Sequence, residues 1–258
     1  MKKEILEKLD LSRTTYGKVK DVPYEMAILP WGATEPHNYH LPYLTDSILA
    51  HRVACDVALS VYEKSGKYVM VLPMVDAGSQ NPGQHDLPFC IHYRYETQKA
   101  ILVDILTALQ HQGIKKLLIM NGHGGNSFKG MIRDLSIDFP DMLIACSEWF
   151  AVEKRDGYFE EKIDDHAAEQ ETSVMLHYAP ELVALELMGS GKVLRNFAID
   201  GLNKKVAWVP RHWNKISEDS GVGNPALATA EKGERFVKVV VDRLSDCVID
   251  MISKDLYE

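Results

Sequence analysis

The sequence is short of the features that would direct it to a nucleic acid, a membrane or an oxidising compartment. Lys and Arg number 29 against 37 Asp and Glu over 258 residues, a formal net charge of -8. Nucleic acids and anionic lipids are held by clustered cations, and no cationic surplus is present to hold them. No apolar run approaches the roughly 18 residues of a membrane-spanning helix, and Met1-Lys2-Lys3-Glu4 leads into charged residues instead of the apolar stretch of a secretory signal. The four cysteines, Cys55, Cys90, Cys146 and Cys247, are far apart with no paired spacing, which fits reduced thiols better than a disulfide frame. No repeat, low-complexity tract or linker interrupts the chain. A soluble, cytoplasmic protein with a single domain over residues 1–258 is expected, with no nucleic-acid or membrane partner, and its 46% hydrophobic content suffices for one buried core.

Short apolar runs alternate with amphipathic stretches. Strands are predicted at Met26 to Leu29, Tyr68 to Leu72, Lys116 to Met120 and Met142 to Cys146. Helices are predicted at Ser47 to Glu63, ahead of Gly66, at Tyr95 to Gln112, ahead of Gly113, and at Ser127 to Phe139, ahead of Pro140. A further helix is expected near Ala168 to Tyr178 and a long one from about Ala226 to Met251, with Asn224 as its cap and Pro225 at its first position. Such a βαβαβαβ order predicts an α/β fold, a mostly parallel sheet with helices on both faces. In these sheets ligands gather beyond the carboxyl ends of the strands, where three polar loops would converge.

The first of these loops holds Glu35, His37 and Asp46. Two residues apart in an extended loop, Glu35 and His37 project to the same side. Carboxylate and imidazole donors without a cysteine suit zinc, manganese or iron in a site other than a closed thiolate one. Asp46 reads either as a bridging ligand or as a plain helix N-cap. The third loop, Asn121-Gly122-His123-Gly124-Gly125-Asn126, lacks both the P-loop lysine and the dinucleotide GxGxxG spacing. Its glycines allow close backbone approach while His123 points into the site. A later cluster, Asp164-Asp165-His166-Ala167-Ala168-Glu169-Gln170-Glu171, opens a helix, and the three-residue spacing of His166 and Glu169 would place them on one helical face.

These clusters, in this order, resemble the creatininase (creatinine amidohydrolase) family, whose first motif runs close to PxGxxExHGxHLPxxTD and here spans Pro30 to Asp46. The NGHGGN turn, the HAGExETS-like stretch His166 to Ser173, and Gly223-Asn224-Pro225 through Ala230-Glu231-Lys232-Gly233 are also similar to family features. The resemblance implies a three-layer α/β/α sandwich and a site for two divalent metal ions, Zn2+ and/or Mn2+ with Fe2+ as an alternative. Glu35 would hold one ion and His37 the other, with Asp46 bridging and His123 joining the ion of Glu35. In creatininase a glutamate two residues after that histidine completes the shell of the second ion, and here Gly125 stands in its place. Other members place a glutamate in the later motif, so Glu169 is assigned the missing role. Three carboxylates against two divalent ions leave one positive charge for a hydroxide between them. His166 would deliver the proton to the leaving nitrogen, and Glu171 would either orient it or serve as a helix-start carboxylate.

The implied activity is amide C–N hydrolysis of a small molecule, with ring opening of creatinine, formamide hydrolysis and peptide trimming as precedents within the family. Asn38 replaces a motif glycine but tolerates a left-handed backbone, and the Gly78 to His92 loop is expected to shape the pocket. A phosphoesterase would want basic residues that the motif loops lack, and a non-catalytic metal-stabilised protein would not need the spare histidine. The resemblance also suggests a homo-oligomer, specifically a hexamer.

Overall fold

Residues 2–257 are described by a computed structural model. In chain order the main elements are α1 (Lys2–Leu9), β1 (Tyr24–Trp31), α2 (Thr45–Ser65), β2 (Tyr68–Val71), α3 (Tyr95–His111), β3 (Lys116–Asn121), α4 (Phe128–Asp138), β4 (Leu143–Glu148), α5 (Glu169–Tyr178) and α6 (Ala230–Ser253). The four strands form one fully parallel sheet in the order β2-β1-β3-β4. Every residue of β1 from Met26 to Trp31 is buried, as a strand covered on both faces requires. The period-two alternation of side chains then divides the core. Met26, Ile28, Leu118 and Met120 pack with α1, α2, α5 and α6, while Ala27, Leu29, Trp31, Leu117 and Ile119 pack with α3 and α4. The result is the expected three-layer α/β/α sandwich. Among the described residues no helix is long and apolar enough to cross a membrane.

Two parts of the chain depart from the sequence expectation. Helix α1 was not foreseen; it buries Leu9 against the α2 side of the core. The final helix starts at Ala230 instead of Ala226. Asn224 does accept the Ala226 N–H at 2.9 Å, but this closes only a local turn, and the cap is Thr229, whose hydroxyl accepts the Lys232 N–H at 3.2 Å.

The sheet order aligns the loops that follow β2, β1 and β3 along one rim. Asn126 ties them together. Its amide donates to Gly32 O at 3.2 Å and to Asn121 Oδ1 at 3.1 Å, and its Oδ1 accepts the Ser79 N–H at 3.1 Å. Helix α6 packs against α5, and the two approach closely at Gly233, where a β-carbon would overlap the Ser173 carbonyl. Gly233→Ala should therefore lower unfolding stability by about 2 kcal/mol in urea titration, overpacking outweighing the gain in helix propensity of about 1 kcal/mol. An unchanged or raised midpoint would show that the crossing has slack.

Candidate active site

Glu35 and His37 sit in the loop after β1, Asp46 in the first turn of α2, His123 in the turn after β3, and His166 and Glu171 around the start of α5. Their polar ends meet in one buried cluster. The accessibilities of Glu35 and His37 are 0% and that of Asp46 is 2%, so these ionisable groups are out of bulk water and must be balanced by one another or by a ligand.

The histidines show which charge is wanted. His123 Nε2 lies 2.7 Å from Ser79 O, His37 Nδ1 3.0 Å from Glu35 O, and His166 Nε2 2.9 Å from Pro36 O. A carbonyl can only accept, so each of these nitrogens carries the proton, and in a neutral ring the other nitrogen presents a lone pair. These second nitrogens face carboxylates. His123 Nδ1 is 2.9 Å from Glu35 Oε1 and 3.0 Å from Asp46 Oδ2; His37 Nε2 is 3.0 Å from Asp46 Oδ1, 3.7 Å from Glu171 Oε1 and 3.8 Å from Glu35 Oε1. Neither Glu35 Oε1 nor Asp46 Oδ2 accepts a hydrogen bond. Acceptors turned toward acceptors, with buried oxygens unpartnered, are the donor set of a cation.

The ligand atoms fall into Glu35–Asp46–His123 and His37–Asp46–Glu171, each set within 4.8 Å, and Asp46 belongs to both. Glu35 and His37 form a third such group with His166. The titration behaviour has the same origin. Burial disfavours the charged form of His37, yet Asp46, Glu171 and Glu35 push its pKa up to about 10. His123 is raised well above its ordinary value against the same burial, by Glu35 and Asp46. Asp46 is lowered despite burial by the two imidazoles. Burial, with Asp46 and Glu35 nearby, pushes Glu171 up to about 8 even though His37 opposes the shift. Protons on these groups thus take up charge that a divalent ion would supply. His166 is shifted the other way, by burial and by His37, and stays a neutral base.

Glu169, assigned as a ligand from the sequence, faces away. Its Oε1 pairs with Lys232 Nζ at 2.5 Å and its Oε2 accepts the N–H groups of Glu160 at 2.8 Å and Glu161 at 2.6 Å. Glu171 takes the place in the cluster, anchored by the Ala167 N–H at 2.6 Å. Asp46 does not serve as a plain N-cap, since both of its oxygens face imidazoles. His40 is not part of the cluster; its Nε2 meets Thr172 Oγ1 at 2.8 Å. Asn38 adopts the left-handed conformation expected of it, at φ 53. Gly125 lies so close to Ser79 O and His123 Nε2 that a side chain would strike both, which leaves no room for the glutamate that creatininase carries there.

Other contributors were not foreseen. The Gln84 amide donates to Glu35 Oε2. Trp213 stands edge-on to His166 at 5.2 Å between ring centroids, with His37 at 4.3 Å from His166. Gln84 lies in a loop and Trp213 opens a four-residue helix, Trp213–Ile216, too short to show a periodic pattern; only the general assignment of the Gly78 to His92 loop to the pocket pointed toward Gln84. A cavity of 630 Å³ opens on Glu35, His123 and His166 and is walled by Asn81, Trp208 and Arg211; Arg211 is the only Lys or Arg among its described lining residues. Arg211 pairs with Asp165 at 2.5 Å, its guanidinium 4.9 Å from the Trp213 ring centroid. A larger cavity of 860 Å³, bounded by Tyr39, Leu187 and Leu194, reaches the cluster only at His37.

A parallel α/β sheet with buried carboxylates and imidazoles at its carboxyl rim defines a metal-dependent hydrolase. The chain belongs to the creatininase family, whose model, described as creatinine amidohydrolase, matches residues 11–248. A crystal structure of a candidate creatinine amidohydrolase from Bacteroides fragilis is 59% identical, with a TM-score of 0.96 over 98% of this chain and 99% of that one. The mycofactocin precursor peptide peptidase of Mycobacterium ulcerans is 28% identical over 86% of this chain and 82% of its own. The 3-dehydro-scyllo-inosose hydrolase of Thermotoga maritima is 25% identical over 89% of this chain and 78% of its own.

The Glu169–Lys232 pair generates a pH prediction. Burial opposes ionisation of Glu169, but Lys232 and the two N–H groups hold its pKa below the ordinary 4.5. Its contribution to stability is therefore complete above that ordinary value and is lost as the pH falls through the lower folded-state value. Lys232→Met, which leaves a buried carboxylate unpaired, should cost about 3 kcal/mol at pH 7. In denaturant titrations the gap from the unsubstituted protein should close toward pH 3; a gap independent of pH would contradict the assignment.

Proposed function

We propose that this protein is a two-metal amidohydrolase that cleaves the C–N bond of a small amide. The observation that carries the reading is the sharing of Asp46 between two compact ligand sets. Glu35 and His123 would hold one ion, His37 and Glu171 the other, and Asp46 would bridge them. This reading revises the sequence assignment in one respect, with Glu171 replacing Glu169. Nitrogen and oxygen donors without sulfur suit Zn2+ or Mn2+. Bound ions of this kind acidify a water to near neutrality and polarise a carbonyl.

The chain's own groups would do the rest. The His166 Nε2–H donates to Pro36 O, which leaves Nδ1 with its lone pair, 3.8 Å from Glu35 Oε1, on a side chain that lines the cavity. A neutral imidazole so placed accepts a proton at Nδ1 from the attacking water and returns it to the departing nitrogen. Trp213 and His37 flank its ring and hold its orientation. Gln84, through Glu35 Oε2, fixes the carboxylate nearest both His123 and His166.

Arg211 bears on substrate choice. A single guanidinium in the cavity wall, stacked near Trp213, supports an amide that also carries a carboxylate, whether a compact acid or the end of a peptide. The exposed Phe89, Val206 and Trp208 support self-association, and we infer a cytoplasmic homo-oligomer of six chains; light scattering should give a mass near six subunits, and a monomer would refute this.

Elemental analysis of protein purified without chelators should find at least two divalent ions per chain, the content falling by at least one in Glu171→Gln and unchanged in Glu169→Gln. His166→Gln should retain both ions and lose turnover by about 10²–10⁴-fold; full turnover would remove His166 from the proton path. In a panel of lactams, formamides, peptides and phosphoesters, activity should be confined to amides. Arg211→Ala should raise KM at least tenfold for carboxylate-bearing amides and leave neutral ones unaffected, and equal effects on both would sink the anion-binding role.

A further inference from the structure

A second group of metal-type ligands lies outside the catalytic cluster, where the amino-terminal segment meets α2. His51 and Cys55 are four residues apart on that helix, so they share a face, and Asp10, at the end of α1, reaches over to them. Asp10 Oδ1 is 3.2 Å from His51 Nε2, and Cys55 Sγ is 3.7 Å from the same nitrogen. The three ligand atoms all lie within 4.8 Å of one another. Asp10 is buried, with an accessibility of 2%, and its orientation is fixed by the Ser12 N–H at 3.0 Å and the Ser12 hydroxyl at 2.6 Å. These contacts orient the carboxylate as outer partners orient metal ligands. A cavity of 410 Å³, bounded also by Arg13, Arg52 and Met74, opens onto the three side chains.

We propose that Asp10, His51 and Cys55 form a third metal site, which takes a borderline-soft divalent ion such as Zn2+. One thiolate, one imidazole and one carboxylate are the donor types of tetrahedral zinc, and three protein ligands leave the fourth position to water from the cavity. The charges close, since thiolate and carboxylate together neutralise a divalent ion. Loading breaks the Cys55 S–H bond and forms a sulfur–metal bond. The thiol proton leaves to solvent, and the His51 proton resides on Nδ1 so that Nε2 can donate its lone pair. No electron transfer is involved. The bound ion would tie the end of α1 to α2, the helix that carries Asp46 in its first turn, and so stabilise the amino-terminal segment wherever the ion is available.

Cobalt substitution separates this site from the catalytic one, because the catalytic cluster holds no sulfur. Titration of metal-free, reduced full-length protein with Co2+ should produce a thiolate-to-cobalt charge-transfer band in the near ultraviolet and three equivalents bound per chain. Cys55→Ser should abolish the band and one equivalent, with amidase activity unchanged. His51→Gln, which keeps the thiol, should weaken binding at that site at least tenfold, so the test survives if one variant folds poorly. Absence of the band in the unsubstituted protein, its persistence in Cys55→Ser, or a His51→Gln titration identical to that of the unsubstituted protein would each overturn the proposal. If the catalytic reading failed, the two other equivalents would be missing while this band remained.

Discussion

The site is governed by electrostatics: three carboxylates and the lone-pair sides of two imidazoles are brought together with almost no water to dilute their repulsion. At effective dielectric constants of about 20, like charges 4 Å apart repel by about 4 kcal/mol, so such a cluster holds together only with added positive charge. Much of the surrounding structure serves to hold these acceptors facing inward. Three backbone carbonyls, of Ser79, Glu35 and Pro36, set the ring orientations from outside. Asn126 locks together the loops that supply them, and the parallel sheet places those loops side by side.

The framework was readable in the sequence because it rests on local regularities. Buried strands announce themselves as apolar runs such as Met26 to Leu29, and glycines such as Gly66 and Gly113 mark helix ends. Glu35, His37 and His123 lie in loops directly after strands and Asp46 opens the helix that follows the first of these loops, so their convergence follows from the topology. The choice between Glu169 and Glu171 was not readable in the same way. Two residues apart on a helix, they point about 160° apart, and only the docking of α5 against α6 decides which face looks toward the rim. The helical spacing applied to His166 and Glu169 also failed, because the helix begins only at Glu169. Ala167 is left-handed at φ 51 and Ala168 is extended, so His166 precedes the helical register.

The carboxyl-terminal motif acquires a structural meaning from the same geometry. Lys232 neutralises Glu169, and Gly233 lets α6 lie against the Ser173 backbone. Together they fix the roll of α5 and thereby present Glu171 to the cluster. A motif far from the ligands in sequence thus helps determine which carboxylate is offered. Gly125 fits the same arrangement: there is no space for an acid beside His123, and the third carboxylate of the cluster, Glu171, is on α5. The cavity wall is completed by loops such as the one bearing Trp208 and Arg211, which no periodic pattern describes.

The central claim is that two ions share Asp46 and that Glu171, not Glu169, completes the shell. Anomalous diffraction from crystals of the metal-loaded protein tests it most directly. The account predicts two peaks within the catalytic cluster, one among Glu35, Asp46 and His123 and the other among His37, Asp46 and Glu171. A cluster without a peak, or an ion bound by Glu169 in place of Lys232, would contradict it.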